Sequence, residues 1–484
     1  MAKTWCSVFL FTALTTTLAA QEKPTLSPVT KGFVTVDAPV TALVHVHVID
    51  GTGSPAEADQ TILIENGMIK QIGSAGSVAI PAGARVLDLT GRSVIPGLVG
   101  MHDHMFYPAA SGQPLVEGTP ALYGEMGFSF PRLYLAGGVT SIRTTGSLEP
   151  YADLALKKLI DTGKMPGPKI HVTGPYLEGL GSFTPQLHEL TGPDDAVRLV
   201  NYWIDEGATS FKAYMHITRA ELGAAIKAAH ARGIKVTGHL CSVGFTEAAE
   251  LGIDDLEHGL QVDQEFNPNK QPDVCPPNAD SHPSMEGDEV KGEAVQAVIH
   301  TLVQHHVPIT STLVIFETFA PNRPAIQNRM LDALSVPSRV DYLMARAKVA
   351  AEKGGSDNLL KKEMEFERDF VKAGGVLLSG EDPTGYGGVL AGFGDQRQVE
   401  LLVEAGFSPL EAIHIATQNG AEFLGEGDRI GTVKAGKVAD LVVIKGDPSQ
   451  KIEDIENVEL VFKDGIGYDS QKLIESVRGA VGFH

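Results

Sequence analysis

Val94-Ile95-Pro96-Gly97-Leu98-Val99-Gly100-Met101-His102-Asp103-His104 is the stretch on which the fold turns. The apolar run from Val94 to Met101 reads as a strand buried on both faces. It ends in two histidines one residue apart. Side chains alternate faces along a strand, so His102 and His104 project together while Asp103 points the other way. Two imidazoles side by side invite a metal ion.

Downstream of this run, helical patterns that end at glycine are followed again and again by short apolar strands. Gly137-Gly138 precedes Val139–Arg143, Gly207 precedes Thr209–Tyr214, and Gly233 precedes Ile234–His239. Gly252 precedes Ile253–His258, and Gly374-Gly375 precedes Val376–Gly380. Glycine closes a helix by taking the left-handed conformation. With Val94–Met101, Lys169–Gly174 and Val307–Leu313 the segments make eight strands alternating with helices. The pattern predicts an α/β fold, a (β/α)8 TIM-like barrel over residues 93–424. An open doubly wound sheet is the competing arrangement.

Both ends of the chain read differently. Ala42–Val48, Gln60–Glu65, Met68–Ile72 and Arg85–Leu87 are short β segments, with Glu65-Asn66-Gly67 as a hairpin turn. Ala439–Ile444 and Val458–Phe462 have the same character, and Lys463-Asp464-Gly465 closes the latter like a second turn. Neither set closes a sandwich alone. Residues 32–92 and 425–470 are therefore expected to pair into one small composite β-sandwich domain.

The N-terminus bears Lys3, an apolar stretch from Trp5 to Leu14, and Leu18-Ala19-Ala20 before Gln21. Charge, apolar core and small residues in that order predict a signal peptide over residues 1–20, cleaved near Ala20, and a periplasmic or secreted protein. Cys6 lies inside the apolar stretch, poorly placed for a lipid anchor. Removing residues 1–20 takes the net charge from −21 to −22. Such an acidic surface repels nucleic acid and anionic lipid, so the expected partner is a small molecule or dipeptide, with a homo-oligomer left open. No second apolar run reaches membrane-spanning length. Only Cys241 and Cys275 remain, too few for a disulfide framework; they are either one bond or two free thiols.

In a (β/α)8 barrel the active site lies at the C-terminal strand ends. Those ends carry His102 and His104 on the first strand, Lys212 on the fourth, His239 on the fifth and His258 on the sixth. The eighth leads into Gly380-Glu381-Asp382. Any one alone is unremarkable; agreement at five strand ends points to a metal centre.

These segments resemble a known family. Val94 to His104 is similar to the opening metal motif of the amidohydrolase superfamily. Ser210-Phe211-Lys212-Ala213-Tyr214, Thr237-Gly238-His239 and Leu256-Glu257-His258-Gly259 resemble its later ligand strands, and Gly431 to Leu441 its C-terminal β signature. The nearest subgroup is imidazolonepropionase-like and Xaa-Pro dipeptidase-like. The resemblance implies a metal-dependent hydrolase of amide C–N bonds with two divalent ions, usually zinc.

Lys212 decides the metal count. A buried lysine loses its proton more readily, and the neutral amine takes up carbon dioxide to form a carbamate whose two oxygens can bridge two cations. On this reading His102, His104 and Asp382 hold one ion, His239 and His258 the other, and carboxylated Lys212 and a hydroxide bridge them. That hydroxide attacks the carbonyl, and Asp382 passes its proton to the leaving amine. Glu381 competes for the acid role, but the family pattern favours Asp382. Single-metal deaminases of the superfamily place a glutamate three residues after the fifth-strand histidine. Here that position is Ser242, which argues for hydrolysis without deamination. There is no Gly-rich phosphate loop and no Gly-x-Ser-x-Gly elbow.

Tyr214 shares strand parity with Lys212, and Arg143 ends the second strand; both are candidate substrate-binding groups, for a carboxylate or an oxyanion. His171 and His188 are weaker candidates, and His216, His282, His305 and His306 read as surface residues. The Pro-, Asn- and Asp-rich loop Gln261–Glu289 stands to cover the site, pinned to the fifth-strand end if Cys241 and Cys275 are bonded. The expected reaction is amide hydrolysis of a dipeptide or N-acyl amino acid. The alternatives are a lactonase or phosphotriesterase-like hydrolase on the same metals, and a non-catalytic binding protein.

Overall fold

The computed structural model describes residues 24–108, 122–182, 184–279, 289–351 and 357–482. The expected signal segment 1–20, with Cys6, and His282 lie outside them. Eight short parallel strands carry the centre of the molecule: β1 (Leu98–Asp103), β2 (Val139–Thr144), β3 (Lys169–Val172), β4 (Ser210–Ala213), β5 (Lys235–Gly238), β6 (Asp255–Glu257), β7 (Ile309–Ser311) and β8 (Leu377–Ser379). They neighbour one another in chain order. β1, β2 and β3 are hydrogen-bonded in parallel, β4 to β8 likewise, and a parallel bridge between Thr173 and Ser210 joins the two groups. The last strand returns to the first: the Asp382 N–H donates to the His102 carbonyl at 2.8 Å. At Gly380 the backbones come so close that a Cβ would lie 2.3 Å from His102 Cβ. Sequential parallel strands closing on themselves, with a helix after most of them, form an α/β fold of the TIM-barrel type.

Strands from both chain ends hydrogen-bond within one nine-stranded sheet. Its order is Val34–Val36, Ile466–Asp469, Val458–Lys463, Leu441–Lys445, Arg92–Pro96, Val40–Val48, Glu57–Glu65 and Met68–Ser74, with Arg85–Asp88 added beside Val40–Val48. Both anticipated two-residue turns form. Asn66 and Gly67 connect Glu65 to Met68, Asp464 and Gly465 connect Lys463 to Ile466, and all four take positive φ as hairpin turns of this hand require. Leu43, Ile62, Val94, Leu441 and Phe462 fill the buried face of this sheet.

The apolar run that looked like a single strand is two. Arg92–Pro96 runs antiparallel to Leu441–Lys445 in the mixed sheet, and after Gly97 the chain enters the barrel as β1 beside β2. Pro96 has no N–H to donate, and a Cβ at residue 97 would lie 2.0 Å from Thr140 Oγ1, so the switch between sheets falls on Pro-Gly. Both halves are buried, which is why the sequence shows no polarity break there. Cys241, just past β5, is disulfide-bonded to Cys275 and ties the described part of the loop after β6 to the fifth-strand end. Among the described residues no helix is long and apolar enough to cross a membrane.

Candidate metal centre

Strand alternation turns His102, His104 and Lys212 toward the barrel axis, and the turns that end β6 and β8 bring in His258 and Asp382. Both of these residues take positive φ, +72° and +51°, so their side chains leave the alternation of the strands before them. His102, His258 and Asp382 place their ligand atoms within 4.8 Å of one another, a candidate metal site. Lys212 Nζ lies 2.9 Å from His102 Nε2. His104 Nε2 is 3.4 Å from Asp382 Oδ1. The His239 ring stands 4.4 Å, centroid to centroid, from that of His258. All six expected ligands thus converge on one region, and four of them (His104, Lys212, His239 and Asp382) line a cavity of about 80 Å³.

The hydrogen bonds behind the imidazoles set which nitrogen faces inward. His102 Nδ1 lies 2.9 Å from Glu257 Oε2 and His104 Nδ1 lies 3.3 Å from the Gly146 carbonyl. An ionised carboxylate and a carbonyl only accept, so each Nδ1 carries the proton and each Nε2 presents a lone pair. His258 Nδ1 is held 2.7 Å from Thr312 Oγ1, and its buried Nε2 has no hydrogen-bond partner. The Asp382 oxygens face these nitrogens at 3.4, 3.8 and 3.9 Å. Lone pairs that face one another in a buried space need a cation or a proton donor between them: Lys212 Nζ stands against His102 Nε2 at 2.9 Å, and His258 Nε2 has neither. The donor set, imidazole nitrogens with one carboxylate, suits a divalent transition metal.

Burial keeps the histidines neutral, the form that ligates. It pushes His104 down to about 4 and His239 to about 3, and it lowers His102 and His258 as well. Burial also brings the Lys212 ammonium down to about 8, against the pull of Glu257 and Asp382. The Lys212 amine is therefore far easier to deprotonate than a surface lysine.

Arg143 requires a correction. It does not face the cavity as a substrate-binding group. Its Nη2 contacts Asp255 at 2.9 Å and Glu257 at 3.0 Å, its Nε donates to the Met101 carbonyl at 2.8 Å, and its side chain is buried. Two carboxylates on the inward face of β6 claim the guanidinium. Tyr214 does line the cavity, beside Phe106, Tyr123, Leu148, Tyr176 and Thr384. Glu381 is buried away from the cavity, where Oε2 accepts from the Asp395 N–H at 3.1 Å. Ser242 Oγ donates to the Ile217 carbonyl.

The remaining histidines lie elsewhere. His171 and His188 pair with Glu426 and Asp195, His216 with Glu178, and His305 and His306 are exposed. Sequence reading missed Glu257, Thr312 and the aromatic wall. Glu257 was discoverable: Asp255 and Glu257 share one face of a strand inside a barrel, where two acids need a partner.

Comparison with known proteins gives the family and the fold. The sequence model of the amidohydrolase family matches residues 93–466, and the chain belongs to that family. A dihydroorotase from Trichlorobacter lovleyi is 24% identical over 410 residues, 81% of this chain and 85% of that protein. Among solved structures, a Xaa-Pro dipeptidase with bound methionine in the active site superposes with a TM-score of 0.65 at 20% identity. The match covers 89% of this chain and 100% of that one. Bottromycin amidohydrolase superposes with a TM-score of 0.66 at 19% identity, covering 92% and 94%. The resemblance read from the His102–His104 motif and the later strand ends is borne out.

Proposed function

We propose that the protein is a binuclear metal-dependent hydrolase of amide C–N bonds in dipeptides or N-acyl amino acids, acting in the periplasm or outside the cell. The observation that supports it most is the convergence of three imidazole Nε2 atoms on the Asp382 carboxylate at 3.4, 3.8 and 3.9 Å, a spacing that a shared cation would fit. His102, His104 and Asp382 would hold one ion and His239 and His258 a second, zinc in the first instance, with Lys212 between them as a carbamate. Bound divalent ions supply an acidified water and a polarised carbonyl.

The chain's own residues do the rest. The neutral Lys212 amine forms an N–C bond to carbon dioxide and releases one proton, leaving an anion with two oxygens. Asp382, at the cavity wall, takes a proton from the attacking water and delivers it to the departing amine, which cannot leave as an anion. Thr384 Oγ1 donates to Asp382 Oδ1 at 2.9 Å and orients it for that exchange. The Tyr214 hydroxyl, on the same wall, is placed to bind the substrate's carboxylate or developing oxyanion. In this reading residues 32–96 and 425–470 form the composite β domain, and the catalytic barrel runs from Gly97, rather than from residue 93, to 424. Metal analysis followed by a hydrolysis screen over dipeptides, N-acyl amino acids and lactones tests the proposal. Amide turnover that disappears on chelation is expected; a metal-replete protein that cleaves only lactones, or nothing, would overturn it.

A further inference from the structure

The turn that carries His258 is held from an unexpected direction. β6 ends at Glu257, and His258 and Gly259 follow with φ of +72° and +88°. A histidine rarely adopts that backbone, so the surrounding structure must impose it. Two anchors come from the neighbouring strand: the His258 N–H donates to the Thr310 carbonyl at 2.9 Å, and Thr312 holds Nδ1. The third comes from helix Asp357–Lys372, in the long connection between β7 and β8. Glu363 on that helix is fully buried. Its Oε1 accepts the Leu260 N–H at 3.1 Å and its Oε2 the Gln261 N–H at 2.8 Å. A Cβ on Gly259 would lie 2.0 Å from Glu363 Oε1, so the glycine is what lets the carboxylate seat against the turn.

We propose that Glu363 is a positioning residue for metal binding: its carboxylate clamps the turn at residues 258–261 so that His258 Nε2 points into the centre. The inference rests on reading His258 as a metal ligand. It ties the helix that precedes β8, whose residues do not line the cavity, to the affinity of the site. A carboxyl group offers an accepting oxygen to each of the two backbone N–H groups. Glutamine keeps one acceptor and turns an amide donor toward the other N–H.

The test is titration of metal-free full-length protein with Zn²⁺ alone, comparing wild type with Glu363→Gln, Glu363→Asp, Glu317→Gln and His258→Ala. Glu317 is a buried acid of the same β7–β8 connection that accepts from Arg323 and Arg397 and does not touch the turn. Glu363→Gln should keep its circular dichroism and bind zinc at the His258 site ~10–100-fold more weakly, with turnover restored by excess zinc. Glu363→Asp, which keeps the carboxyl group and withdraws its oxygens, should also weaken zinc binding. It carries the test if the glutamine variant does not fold. Glu317→Gln should melt earlier with wild-type zinc affinity. Wild-type affinity in a folded Glu363 variant, or an equal loss in Glu317→Gln, overturns the clamp. Wild-type zinc binding by His258→Ala would instead overturn the ligand assignment on which it rests.

Discussion

Two polar layers lie one above the other inside the barrel, and they are built on opposite principles. In the lower one, Arg143 touches Asp255 and Glu257 at 2.9 and 3.0 Å, and Thr237 and Thr310 donate to the same acids at 2.6 and 2.8 Å. Charge meets charge at hydrogen-bonding distance. In the upper one, neutral imidazoles face Asp382 at 3.4 to 3.9 Å, and the buried Nε2 of His258 is left without a partner. A cation is built into the lower layer as a side chain, and the upper layer is spaced for one from solution. Glu257 joins them: Arg143 and His102 hold its carboxyl well below the usual carboxylate range despite burial, and it accepts from His102 Nδ1, which turns the Nε2 lone pair toward Lys212 Nζ and the centre.

The comparison can be broken at either layer. In the upper one, Asp382→Asn keeps the shape and removes both the proton shuttle and a metal-holding carboxylate, so kcat should fall by at least ~10²–10⁴-fold in a steady-state assay with excess zinc, with the melting temperature little changed. In the lower one, Arg143→Met leaves two carboxylates in a buried space without their cation. Such a break costs roughly 3–5 kcal/mol, read as a large drop in melting temperature by calorimetry. If Asp382→Asn were the variant that unfolds and Arg143→Met the one that only loses turnover, the division of labour would be reversed.

A smaller effect comes from buried acids outside both layers. Burial pushes Asp153, Glu400 and Asp440 up to about 7. Carboxyls are near 4 in an unfolded chain, so between about pH 4 and 7 the folded state holds protons that the unfolded state has lost. Stability contributed by these groups is present at low pH and declines as pH rises through about 7. Melting at pH 6 should therefore exceed melting at pH 8.5, and Asp153→Asn should narrow that gap. A gap of the opposite sign would contradict the assignment.

Much of this was legible in the chain because period and position carry it. Glycine-terminated helices followed by short apolar runs mark the barrel strands, and residues at strand ends mark the site. What was hidden depends on geometry that local pattern does not encode. The Pro96-Gly97 switch is silent because both sheets bury their residues alike. Arg143 looked like a substrate clamp because a strand-end arginine and a strand-interior one read alike; only the register with β6 reveals the acids that claim it. His258 and Asp382 face the centre through positive φ, which strand alternation does not anticipate. Glu363 is about a hundred residues from the turn it holds, and no spacing rule connects them.

The central claim is that Lys212 converts a cluster of histidines into a site for two ions. Metal content by elemental analysis of purified wild type and Lys212→Ala tests it most directly. Two divalent ions per wild-type chain are expected, at most one in the variant, with nearly complete loss of hydrolysis. Equal metal content in the two proteins would contradict it.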